Sequence, residues 1–64
     1  MNLIFEGLSW GEFQGAVKFI AEKREELDRT MDVQYDVVYQ HEDMTFMFTF
    51  QFNEIEEVRV IKNG

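Results

Sequence analysis

The chain has no cysteine and no proline, a single histidine, His41, and a single serine, Ser9. Without cysteine there is neither a disulfide framework nor a thiolate nucleophile, and one histidine is too few for a structural zinc site. Ser9 and His41 alone do not assemble a nucleophile, a base and a group to orient it, so no enzymatic activity is expected. Cations are scarce as well. Six Lys and Arg stand against 13 Asp and Glu, for a formal net charge of −7. A field of that sign repels nucleic-acid phosphate and anionic lipid and attracts cationic partners, so neither direct nucleic-acid binding nor membrane binding is expected. No apolar run approaches the roughly 18 residues of a membrane span. The opening Met1-Asn2-Leu3-Ile4-Phe5-Glu6 lacks both the cationic region and the long apolar stretch of a secretion signal. The reading is a leaderless, cytoplasmic protein, without internal repeats or low-complexity segments.

What is present is apolar enough to fold. Hydrophobic residues make up 45% and aromatics 16% of 64 residues, too many for a disordered acidic tail. The length is that of one domain, spanning residues 1–64. At 7.7 kDa a chain buries only about 60% of the surface it exposes when unfolded, a thin margin. With no disulfide or zinc, self-association is the cheapest reinforcement, and a homodimer is expected.

Residues 2–6 form a short apolar run closed by Gly7, suited to a first strand. Ser9 and Glu12 then make an S-x-x-E capping box, and Leu8 and Phe13 occupy the flanking hydrophobic-staple positions. The spacing predicts a helix from Ser9 to about Thr30. Its apolar stripe comprises Phe13, Ala16, Val17, Ile20 and Leu27, with Trp10 at the margin and Arg24 interrupting it. From residue 32 the period changes to two. Val33, Tyr35, Val37 and Tyr39 alternate with Asp32, Gln34, Asp36 and Gln40, which predicts a strand over 32–40. His41-Glu42-Asp43 reads as a solvated turn rather than a metal triplet. In 44–53, Met44, Phe46, Phe48, Phe50 and Phe52 face one way and Thr45, Met47, Thr49, Gln51 and Asn53 the other. A last strand over 57–62 turns Val58 and Val60 inward. The layout is β-α-β-β-β, an α+β two-layer sandwich with one helix on a small, mostly antiparallel sheet. The first strand can sit parallel beside the second, through a right-handed crossover, or beside the last.

One helix covers one side of such a sheet. On the other side the alternation places an apolar centre of Val38, Met47 and Ile61 within polar and acidic neighbours, the anatomy of an interface; scattered apolar side chains on a solvent-facing sheet are an equally ordinary outcome. Phe19 falls off the helix stripe and is a further interface candidate, unless a neighbouring loop buries it. Gly11 and Gly15 share the outward helix face. The Phe-rich strand reads as core rather than a base-stacking platform, since no basic residues accompany it. No glycine loop cradles phosphate, and no cofactor or metal is expected.

Charge divides unevenly. The helix segment is nearly neutral at −1, while −6 remains on the sheet half, in Glu6, Asp32, Asp36, Glu42, Asp43, Glu54, Glu56 and Glu57 against Arg59 and Lys62. Asp32, Asp36, Glu42, Asp43, Glu54, Glu56 and Glu57 are therefore the candidate partner-binding residues. In this general character, without a shared motif, the chain resembles the small phage-encoded inhibitors that imitate DNA, among them inhibitors of uracil-DNA glycosylase, of nucleoid-associated proteins and of CRISPR effectors. The resemblance implies carboxylates standing in for phosphates, a basic nucleic-acid-binding protein of the host as partner, and residence in the host cytoplasm. The alternative is a homodimeric structural or accessory module whose acids serve solubility alone.

Overall fold

The computed structural model describes residues 1–30, 35–52 and 54–64. Five elements follow one another: β1 (Asn2–Glu6), α1 (Trp10–Thr30), β2 (Val37–His41), β3 (Met44–Gln51) and β4 (Glu54–Lys62). The α+β layout with one helix on one sheet is as the pattern predicts. The sheet order is β1-β4-β3-β2, so of the two places open to the first strand the chain takes the one beside the last. There it runs parallel to β4, with Leu3 opposite Val58 and Phe5 opposite Val60. The pairs β2–β3 and β3–β4 are antiparallel.

The helix begins as its capping residues dictate. Ser9 N–H donates to Glu12 Oε1 at 2.9 Å and Glu12 N–H donates to Ser9 Oγ at 3.2 Å. Each side chain thereby satisfies a backbone donor that the first turn leaves orphaned. Phe13 closes the adjoining corner, edge-on to Phe5 at 4.9 Å and stacked with Trp10 at 5.5 Å.

Beneath the helix lies a core of Ala16, Phe19, Ile20, Met44, Phe46, Phe48, Val58 and Val60. Strict alternation along β3 puts Met44, Phe46 and Phe48 fully inside. The helix, however, is turned by about 40° from the orientation its sequence stripe predicts, at 100° per residue. Phe19, expected at an interface, is only 9% exposed, whereas Val17, expected inside, is 41% exposed. The sheet supplies the reason. Tyr39 and His41 on β2 and Phe46 on β3 form an aromatic wall on the Phe19 side, with ring centroids 6.0, 4.2 and 4.5 Å from Phe19. A ring buries more apolar area there than Val17 buries toward the short β1. With this turn Lys23 rather than Arg24 crosses the stripe. Its ammonium lies 4.8 Å from the Tyr39 ring centroid and 3.1 Å from Glu26 Oε2.

Four strand boundaries also differ from the pattern, one of them the start of β4, which lies at Glu54 rather than at residue 57. β2 starts at Val37 rather than at residue 32, and Tyr35 is 70% exposed instead of inward; Asp32 and Val33 lie outside the described residues. His41 belongs to β2, so the hairpin loop is only Glu42-Asp43. Glu42 there takes a φ of 56°, the left-handed backbone that two-residue hairpins require. β3 stops at Gln51, paired with Glu54, and Phe52 swings out, 89% exposed with a φ of 54°. With Gln51 already paired to Glu54 across the two strands, Phe52 has no place in the ladder.

At Gly15 an added Cβ meets nothing within 4 Å. Gly15→Ala should therefore stabilise the fold by about 1 kcal/mol, raising Tm by roughly 4–8 °C in a domain of this size; a lowered Tm in calorimetry would show that the outward helix face is occupied. Phe46→Ala empties the centre of the core and should cost about 3–5 kcal/mol in urea denaturation. A midpoint unchanged from the parent chain would contradict the packing.

Candidate functional site

Alternation along the strands decides which side chains the helix leaves uncovered. Across the sheet, Val38 on β2 pairs with Met47 on β3, Met47 with Arg59 on β4, and Arg59 with Ile4 on β1. One strand step toward the hairpin the row reads Gln40, Thr45, Ile61, Glu6, and one step the other way Thr49, Glu57, Asn2. Val38 is 58% exposed, and Ile4, Met47 and Ile61 are half-buried. The apolar centre expected from Val38, Met47 and Ile61 is thus assembled on one face, with Ile4 added and Arg59 running through it. Arg59 Nη1 stands 4.0 Å from Glu6 Oε1. Beside them Asn63 Nδ2 donates to Gln40 Oε1 at 3.1 Å, and the Thr45 hydroxyl donates into the same group of amide oxygens.

The acidic candidates separate. Glu42 and Asp43 sit in the β2–β3 loop. Glu54 and Glu56 sit at the opposite end, beyond the eight residues of β3, a distance of about 24 Å at 3.4 Å per residue. Asp36 joins that second end, where its Oδ1 accepts the Phe50 N–H at 3.3 Å. Glu57 lies one step inside it, on the open face opposite Thr49. Register shifts between Thr49 and Phe50, which pair with Glu57 and Ile55, so Glu56 is the extra residue of a bulge. This device re-aims a side chain: Ile55 returns to the core, while Glu56 stays exposed and within 2.8 Å of the Gln51 amide, which donates to it. Asp32 lies outside the described residues.

The two ends differ in how their charge is compensated. At the hairpin end Lys62 Nζ is 2.8 Å from Glu12 Oε2 and 3.7 Å from Asp43 Oδ2, tying the start of the helix to the end of β4. At the other end Asp36, Glu54, Glu56 and Glu57 have no ion-pair partner among the described residues. Arg24 and Asp28 from the helix, with Met1, Glu54 and Ile55, line one hollow at this end. Phe52 projects beside these carboxylates. Its exposure is hidden by a sequence that keeps alternating through it; the signal is the polar flanks Gln51 and Asn53, which suit a turn.

Among the described residues no group of three or more His, Asp or Glu side chains is arranged to hold a metal. Likewise, no helix among them is long and apolar enough to cross a membrane. The Ser9 hydroxyl is engaged in the helix cap, and the His41 ring lies flat on Phe19, 16° from parallel. Comparison with protein-family models, curated proteins and solved structures finds no match to this chain.

Lys62, by donating to the Glu12 carboxylate, and Ser9, through the cap, hold that carboxyl down from 4.5 to about 2. Glu12 in turn raises Lys62 above its ordinary 10.5. A depressed carboxyl stabilises the fold fully above pH 4.5 and loses that contribution as pH falls toward 2. The raised Lys62 contributes below 10.5 and loses its contribution as pH rises further. Glu12→Gln should accordingly lower Tm at neutral pH and flatten its fall between pH 4.5 and 2. A variant that keeps the parent acid slope would remove this pair from the account.

Proposed function

We propose that this chain is a non-catalytic acidic binding protein that occupies the nucleic-acid-binding surface of a basic protein, in the manner of a phage-encoded DNA mimic acting in the host cytoplasm. The observation that carries the reading is the end of the sheet where Asp36, Glu54, Glu56 and Glu57 gather without ion-pair partners among the described residues, next to the exposed ring of Phe52. Carboxylates already paired inside a protein offer little to a partner, whereas uncompensated ones focus a negative field that steers a cationic surface. Glu42, about 24 Å away by strand rise, supplies a second point of negative charge along the same body, next to Asp43, whose charge Lys62 partly offsets. An exposed aromatic within a charged surround supplies the anchor that charge alone lacks.

The reading is tested by capture from bacterial lysate at low and high salt, with duplex DNA as competitor. It expects a basic nucleic-acid-binding protein held at low salt and displaced by salt or by DNA; neutral or acidic partners, or retention indifferent to both, would contradict it. Replacing Glu54, Glu56 and Glu57 together by Gln should slow association with that protein about tenfold while leaving the circular dichroism unchanged. An unchanged rate would take this end of the sheet out of the interface.

A further inference from the structure

We infer that the uncovered sheet face binds a second copy of this chain, through a two-fold axis that runs along the strands between β3 and β4. Rotation about that axis lays β3 of one copy over β4 of the other, and β2 over β1, at the same height along the strands. Val38 then meets Ile4 of the second copy, and Met47 meets the methylenes of Arg59, by the register of the four strands. Polar groups match in the same operation. Glu6 faces Gln40, whose side-chain oxygen already accepts from Asn63, leaving its amide protons to donate. Glu57 faces the Thr49 hydroxyl. Each carboxylate of the face thus meets a neutral donor rather than another carboxylate, and every such contact occurs twice, as an isologous interface requires.

Charge and area favour the same occupant. Two bodies at −7 each repel unless they meet where charge is least. The charged residues among the open face's paired positions are Glu6, Glu57 and Arg59, while Asp36, Glu54 and Glu56 lie at its far end. With extents of 33 × 18 × 16 Å, one broad face holds about a fifth of the 4491 Å² surface. That is at most roughly 900 Å² before the acidic end is set aside, close to the ~800 Å² per partner of a standard interface. An apolar middle of Val38, Met47, Ile61 and Ile4 within a polar surround is what such an interface needs. Asp36, Glu54, Glu56 and Phe52 remain outside it and only Glu57 is common to both surfaces, so the face substitutions Val38→Glu and Gln40→Lys test this inference without touching the acids on which the decoy role rests.

Sedimentation equilibrium of the full chain tests it. The expected species has twice the 7.7 kDa chain mass and tightens as salt rises, because salt screens repulsion between like-charged bodies. Val38→Glu should weaken association at least a hundredfold. Gln40→Lys, which sets an ammonium opposite Glu6, should tighten it about tenfold. Glu22→Gln makes the same change in net charge at an exposed helix position off the open sheet face and should leave it unaltered. Circular dichroism confirms that each variant is folded; should Val38→Glu fail to fold, Gln40→Lys against Glu22→Gln decides. A parent chain that stays at single-chain mass up to millimolar concentration would overturn the inference. So would a dimer indifferent to both face substitutions, or one that Gln40→Lys and Glu22→Gln tighten equally.

Discussion

One helix of 21 residues can bury one side of a four-stranded sheet and no more. Most other features of this molecule follow from that limit. Among the described residues all the large fully buried side chains come from β3 and β4, the two central strands, because only there does a single rod give full cover. The edges are half covered, leaving Leu3 on β1 43% exposed beside Val17 in a shallow apolar hollow. Phe19 is drawn inward by the same scarcity. With so little core available, the helix turns to put its largest central ring against Tyr39, His41 and Phe46 rather than align its formal stripe.

Charge obeys the limit too. A small body with a bare sheet face cannot place many carboxylates on that face without driving copies and strands apart, and the acids sit chiefly in the loops and on the outer helix surface. Where they meet cations they fasten the structure, as Glu12 and Asp43 do around Lys62. Where they do not, near the β3–β4 return, they stand without an ion pair among the described residues. A weakly charged face and a strongly charged end thus stand apart on one small domain, one set by apolar area and the other by field.

How much of this was legible in the residues depended on the range of the interaction involved. The helix start was written in Ser9 and Glu12, three residues apart, and the Phe-rich strand in strict alternation from Met44, since both signals are local. The apolar centre of the open face followed from the same alternation. The rotation of the helix was not legible, because it is decided by rings on β2 and β3 that are distant in sequence from Phe19. The outward swing of Phe52 and the bulge at Glu56 were hidden because both interrupt a period that the side chains continue to obey. The parallel docking of β1 beside β4 depends on a partner more than 50 positions away, and two placements satisfied the pattern equally. The acidic residues could be counted from the sequence, but their division between two ends required the strand directions.

The central claim is that the sheet has one covered and one bare face in each chain. The most direct measurement is solvent paramagnetic relaxation of side-chain methyl groups by a neutral soluble probe, at concentrations low enough for single chains. Two classes are expected: strong relaxation for Val38, Ile4, Met47 and Ile61, and weak relaxation for Met44, Val58, Val60 and Ile20. Equal shielding of both groups would contradict it.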